Sequence, residues 1–229
     1  MQLGGFPLHP HSGIATLTYL IEGEINYEDT TGKNGVLPTG GVEWMMAGGG
    51  VWHAGGPRTR RRVMGFQLWV ALPPALESAP ARSIYLSPEE LQQVGPARVL
   101  LGSYGGVSSS IPAPSPMNYL SVQLKAGEAW RYEPPRGHAV AWIALSSGTL
   151  SAQAKVNAGE MVVFEESNQA IDFRAESDAV FVLGSAAKHP HELVLGHYSV
   201  HTSEEALRQG EAGIRQIAQR LREEGRLRQ

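Results

Sequence analysis

The residues best suited to chemistry in this chain are imidazoles, and two of them sit almost at its start. The stretch FPLHPHSG, residues 6–13, places His9 and His11 on either side of a proline. In an extended segment residues i and i+2 point the same way, so these two rings share one face. His53, which ends the glycine-rich stretch GGVEWMMAGGGVWH, is the natural third member of the group. Its separation from the first pair lets neighbouring strands of one barrel bring the three together, and Gly48, Gly49 and Gly50 let the backbone crowd a site. Neutral imidazole suits iron, zinc, nickel or copper, and three imidazoles with open coordination positions form a workable catalytic arrangement. The competing reading is plainer: an H-x-H pair standing alone is more often two polar residues on the solvent side of a loop.

The elements that must hold these rings are strands. The 27 glycines and 15 prolines approach a fifth of the 229 residues without any low-complexity tract, the turn chemistry of many short strands. A formal net charge of −3 gives no general attraction to nucleic acid or anionic membrane. The absence of cysteine excludes disulfides, thiolate nucleophiles and zinc-thiolate sites. No signal peptide and no long apolar span is read, so the cytoplasm is the expected compartment and no membrane association is expected.

Along the chain, IATLTYLIEGEINYED reads as two strands bent at Gly23, followed by the turn TTGKNG and a short strand at GVLPTG. The stretch 40–53 reads as one strand between glycine clusters, and RVMGFQLWVALP as another. Residues 73–96 read as linker with one helical turn near Pro88, and 107–118 as an irregular crossing between two lobes. The β pattern resumes at Tyr119, where successive strands are separated by Gly, Pro or Asn. The openings TGGVEW and NAGEMVV hint at a duplicated barrel. In the tail, Thr202 and Glu205 read as a capping box, and Ile214, Ile217, Ala218 and Leu221 form the apolar stripe of a helix that Gly210 and Gly213 are positioned to interrupt. That stripe is read as a packing or dimer element.

The ordered series FPLHPHSG, TYLIEG, the DTTG turn, WMMAGGGVWH, GFQLWVALP, the Tyr119-Leu120 strand entry and the HTSEE helix start resembles the pirin family. The resemblance implies an all-β fold: two cupin-type β-barrels (a bicupin) packed face to face, with a C-terminal amphipathic helix. The expected boundaries are 1–106 for the N-terminal barrel, 107–200 for the C-terminal barrel and 201–229 for the helix. It also implies one metal, usually iron, in the N-terminal barrel and none in the C-terminal one. The family's metal histidines fall on His9, His11 and His53. The glutamate that completes their set falls on Gly55, and a further glutamate near the first pair falls on Ala15. Both carboxylates are missing, so an anionic ligand that offsets the metal's charge and helps to select it is lost.

Glu43 stands where the family commonly has glutamine, and strand alternation with an inward Trp44 turns it away from the site. Glu28 and Asp29 are read as exposed turn-capping residues, and Tyr27 as a packing tyrosine with a phenol near the barrel mouth. His138 stands where a cupin's first motif would begin but has no partner at i+2, and the second HPH, His189 and His191, reads as an exposed connector. RTRRR, residues 58–62, is either a solvated loop or a basic patch near the barrel entrance that steers an anionic substrate or partner. No recognition helix accompanies it, so direct nucleic-acid binding is not expected. In the family several strands precede the HPH motif; here eight residues do, and the uncovered edge leads to an expected homodimer.

The functional expectation is a metal-binding bicupin, with iron first and zinc, nickel or manganese as alternatives, acting as a dioxygenase on a small aromatic or flavonol-type substrate. The alternative is a non-enzymatic interaction or regulatory protein with a protein partner, whose metal site is weak, degenerate or metal-free. No catalytic residue beyond the metal ligands is assigned.

Overall fold

Glycine turns set the strand limits of the first half of the molecule. The structure, a computed structural model, describes residues 5–227; residues 1–4 and 228–229, at the ends of the expected segments, lie outside the described residues. Eight strands come first: β1 (Phe6–His11), β2 (Ile14–Glu22), β3 (Ile25–Asp29), β4 (Asn34–Leu37), β5 (Val42–Met46), β6 (Val51–Pro57), β7 (Met64–Ala71) and β8 (Arg82–Leu86). They form two antiparallel sheets, one in the order β1-β6-β3-β4 and the other β7-β2-β5-β8. Gly23, with φ of 85°, makes the bend between β2 and β3.

The stretch 40–53 is two strands rather than one. Ala47 to Gly50 turn the chain between β5 and β6, with φ of 52° at Gly48 and 146° at Gly50, values open to glycine and strained for other residues. The supposed linker 73–96 also contains β8, whose Arg82–Leu86 pairs with Met46–Val42 of β5. Its prolines and polar residues mask a five-residue β-former run, RSIYL.

The chain divides into two compact units. One runs to Glu90 and resumes at His189; the other is Leu91–Lys188. The boundary expected near residue 106 lies inside the second unit, because the strand Ala97–Leu101 hydrogen-bonds to the strand Met117–Leu124. Residues 189–200, expected in the C-terminal barrel, fall in the first unit, where Ser199 bridges Ser12. The second unit is again built of antiparallel sheets, one of six strands and one of four around a core that includes Leu120, Tyr132, Phe173, Phe181 and Leu183, besides a small two-stranded ribbon. Each unit is a cupin-type β-barrel, and the fold is an all-β bicupin with one C-terminal helix.

That helix, α1 (Glu204–Glu223), is continuous through Gly210 and Gly213. Of the stripe the sequence marks, Ile214, Ala218 and Leu221 are buried and Ile217 is half-buried, and Gly210 is buried beside them. Its N-cap is Ser203, whose side chain accepts from the Ala206 amide. Thr202 is drawn elsewhere, because its amide and hydroxyl both donate to the buried carboxylate of Glu77 at 2.7 Å. Among the described residues no helix is long and apolar enough to cross a membrane.

Candidate metal centre

Strand register builds the site from two facing rows of side chains. In the first sheet His9 of β1 lies directly opposite His53 of β6, which in turn lies opposite Asp29 of β3. In the second sheet Gln67, Thr18, Glu43 and Tyr85 are successive partners across β7, β2, β5 and β8. Residues opposite one another in antiparallel strands share a face. Both rows turn inward: His9, His53, Gln67, Thr18 and Glu43 all line one cavity of about 520 Å³. The Tyr85 hydroxyl ties the rows together, lying 2.9 Å from Asp29 Oδ2 and 3.2 Å from Glu43 Oε1.

His11, two residues beyond His9, completes a triangle of rings. Their centroids are 4.3 Å apart for His9–His53, 5.0 Å for His9–His11 and 5.2 Å for His11–His53. One nitrogen from each ring lies within 4.8 Å of the other two. Backbone carbonyls fix the tautomers. His9 Nδ1 donates to Pro7 O at 2.8 Å, and His11 Nδ1 donates to Tyr198 O at 3.0 Å, which leaves each Nε2 with a free lone pair. Burial lowers the pKa of His9, and lowers that of His11 to about 4, with the neighbouring imidazoles adding to the effect and the carbonyl bonds opposing it. Both rings are therefore neutral near pH 7, the form that binds a cation.

The donor set fits a divalent metal. The Nε2 atoms of His11 and His53 are buried with no hydrogen-bond partner, an expensive arrangement unless a ligand takes up the lone pairs. His53 turns its other nitrogen toward Glu43, with Nδ1 3.8 Å from Oε1.

Glu43 overturns the expectation that it faces away. Its strand is buried on both faces, Glu43 at 4% exposure and Trp44 at 2%, so an inward Trp44 does not decide which face is the barrel interior. Asp29 is likewise buried rather than an exposed cap. One of its oxygens accepts from the Thr31 amide and hydroxyl, as a turn cap does, while the other meets Tyr85. Glu28 stays exposed. Tyr27 packs as expected, its ring stacked 3.6 Å from that of Tyr85. Nothing in the sequence marks Tyr85, because its strand β8 lies among prolines and polar residues. Burial beside two carboxylates raises its pKa, so it remains a hydrogen-bond donor.

The other histidines lie apart from this cluster. His138 bonds Ser185 Oγ at 2.8 Å in the second unit, and His201 faces Glu77 at 3.2 Å. His189 Nδ1 lies 3.2 Å from the His191 backbone carbonyl, a local contact within the connector.

The family model for pirin matches residues 1–70. A Pseudomonas aeruginosa protein is 31% identical over 231 residues, covering 93% of this chain and 80% of its own length. This chain belongs to the pirin family. The name of that Pseudomonas relative assigns it quercetin 2,3-dioxygenase activity provisionally. Human pirin is 33% identical over 139 residues, 58% of this chain and 48% of its own. Among solved structures, a quercetin 2,3-dioxygenase from Acinetobacter baumannii superposes with a TM-score of 0.82 at 22% identity, covering 92% of this chain and 77% of that one. A bacterial pirin from Escherichia coli in complex with nickel(II) gives 0.69 at 21% identity, covering 82% and 79%.

Against the pirin pattern, the two absent glutamates differ in consequence. Gly55 lines the cavity, two residues along β6 from His53 and on the same face. Ala15 is three residues from the inward Thr18, which puts it on the opposite face of β2.

Proposed function

We propose that this pirin binds one divalent metal ion through His9, His11 and His53 and acts as a dioxygenase on a small aromatic or enolised substrate in the barrel cavity. The observation that carries the reading is the set of converging imidazoles with two buried, unpartnered Nε2 atoms. Iron is the first choice of metal, with zinc, nickel or manganese as alternatives. When bound, the ion would supply Lewis acidity and, if iron, oxygen activation. The protein's own part is positioning. Carbonyls of Pro7 and Tyr198 hold two rings in the ligating tautomer, and Glu43 beside His53 provides the negative charge that the residues at 55 and 15 do not. Phe6, Leu20, Ile25 and Phe66 give the cavity apolar walls against which a flat substrate can pack.

The test is elemental analysis of protein purified without chelator, joined to oxygen uptake with flavonols and simple enediols, with and without added Fe(II). The reading expects close to one metal per chain, lost in His53→Ala, and uptake that follows the metal. Trace metal that His53→Ala leaves unchanged would remove the site. Full metal without uptake would favour the non-enzymatic role in regulation or protein interaction.

A further inference from the structure

The cavity is electrically polarised from end to end. At its inner end stand His9, His53 and Glu43, with Asp29 held behind Glu43 by Tyr85. Its walls continue along β6 through Ala54, Gly55 and Gly56 to Pro57, and return through Val63 and Gly65 at the start of β7. The residues that join those two ends are Arg58, Thr59, Arg60, Arg61 and Arg62. The arginine run therefore connects two lining strands, at the end of the cavity away from the imidazoles. From His53 to Pro57 the strand advances about 13 Å, the length of an aromatic ring carrying a short chain.

The charges on this loop are largely unspent. Arg58 pairs with Glu24 at 3.1 Å, and Arg62 Nη2 reaches only the Met64 sulfur at 3.4 Å. Arg60, Arg61 and Arg62 are exposed and have no carboxylate partner among the described residues. An anionic group entering the cavity meets attraction at the loop. At the inner end it meets repulsion from the buried Glu43, which fixes the direction of entry.

We propose that the cavity takes an aromatic acid, its carboxylate held by Arg60, Arg61 and Arg62 and its phenolic or enolic O–H directed to Glu43 and the imidazoles. This rests on the reading of the cavity as a substrate site and names the substrate class. Arginine is suited to the task because its planar fork matches a carboxylate.

The experiment is calorimetric binding of 3-(4-hydroxyphenyl)propionate and of its methyl ester to the intact 229-residue chain as purified, under nitrogen. The acid is expected to bind about tenfold more tightly than the ester. Added salt should shrink that advantage, and the R60Q/R61Q/R62Q variant should reduce it to less than about twofold, with the ester's affinity unchanged. The triple change lies on an exposed loop, and the ester's binding serves as the check on folding. Absence of a preference for the acid, or a preference that survives the triple variant, overturns the proposal. The oxygenase reading fails separately, through metal content and oxygen uptake, neither of which involves these arginines.

Discussion

At the scale of single residues, the site turns on where carboxylates stand. Gly55 occupies the expected glutamate position, and its backbone leaves room for one. A Cβ built there would come no closer than 3.5 Å to Asn26 O and 4.0 Å to Ile25 Cδ1, ordinary contacts without positive φ. Gly55→Glu should therefore fold and add an anionic ligand to three neutral ones. Chelator competition should show metal affinity rising at least about tenfold, the scale on which ligand-shell changes act; unchanged affinity would mean the new carboxylate does not reach the metal. His11 supplies the pH counterpart in metal-free protein. With a folded pKa near 4 against about 6.5 unfolded, the unfolded chain takes up a proton that the folded chain refuses. Stability is then complete above about pH 6.5 and falls as pH drops toward 4, by about 2–3 kcal/mol at pH 4.5. Urea titrations across that range check the slope, which His11→Asn should flatten. The three histidines were legible because motif and spacing expose them. Glu43 and Tyr85 were not, because their inward direction depends on a strand buried on both faces and on a partner strand hidden among prolines.

At the scale of elements, the strands were legible wherever glycine marked a turn, and misread where glycine had a different task. Gly210 and Gly213 look like helix interruptions in the sequence, yet in the structure they are points of close approach. A Cβ at Gly213 would lie 2.3 Å from the backbone oxygen of Gly49, and α1 is further held to β6 by Trp52 Nε1, which donates to Ile214 O at 3.0 Å. The helix thus backs the strand that carries His53. Two opposing effects can be separated here. Helix propensity alone makes Gly213→Ala stabilising by up to about 1 kcal/mol. The backbone clash makes it destabilising by about 1–3 kcal/mol, the cost of forcing extra volume into a packed contact. The clash should win, because a carbonyl cannot rotate aside as a long side chain can. Equilibrium unfolding gives the sign directly, and a more stable variant would show that helix and strand are not packed this closely.

At the scale of the whole molecule, a duplicated architecture hosts two different interiors. The first barrel gathers three imidazoles, two of them with buried, unpartnered Nε2 atoms, whereas in the second barrel the buried His138 belongs to a hydrogen-bonded network. His138 Nδ1 lies 2.8 Å from Ser185 Oγ, which lies 2.7 Å from the Tyr132 hydroxyl, and Asn118 Nδ2 donates to that hydroxyl at 3.2 Å. Burial lowers the pKa of His138, so the ring is neutral and its role in the network is that of a hydrogen-bonding core residue. The repeated strand openings suggested the duplication, but which barrel kept open ligand positions depends on partners far apart in sequence, such as His138 and Ser185. Replacing His138 with Phe should leave Ser185 short of a partner and cost about 1–3 kcal/mol. Metal content should stay at the wild-type value, since the ligands proposed for it are His9, His11 and His53. Thermal unfolding paired with metal titration tests both halves at once. A second equivalent of metal in the wild type, lost in His138→Phe, would assign the second barrel a binding site of its own.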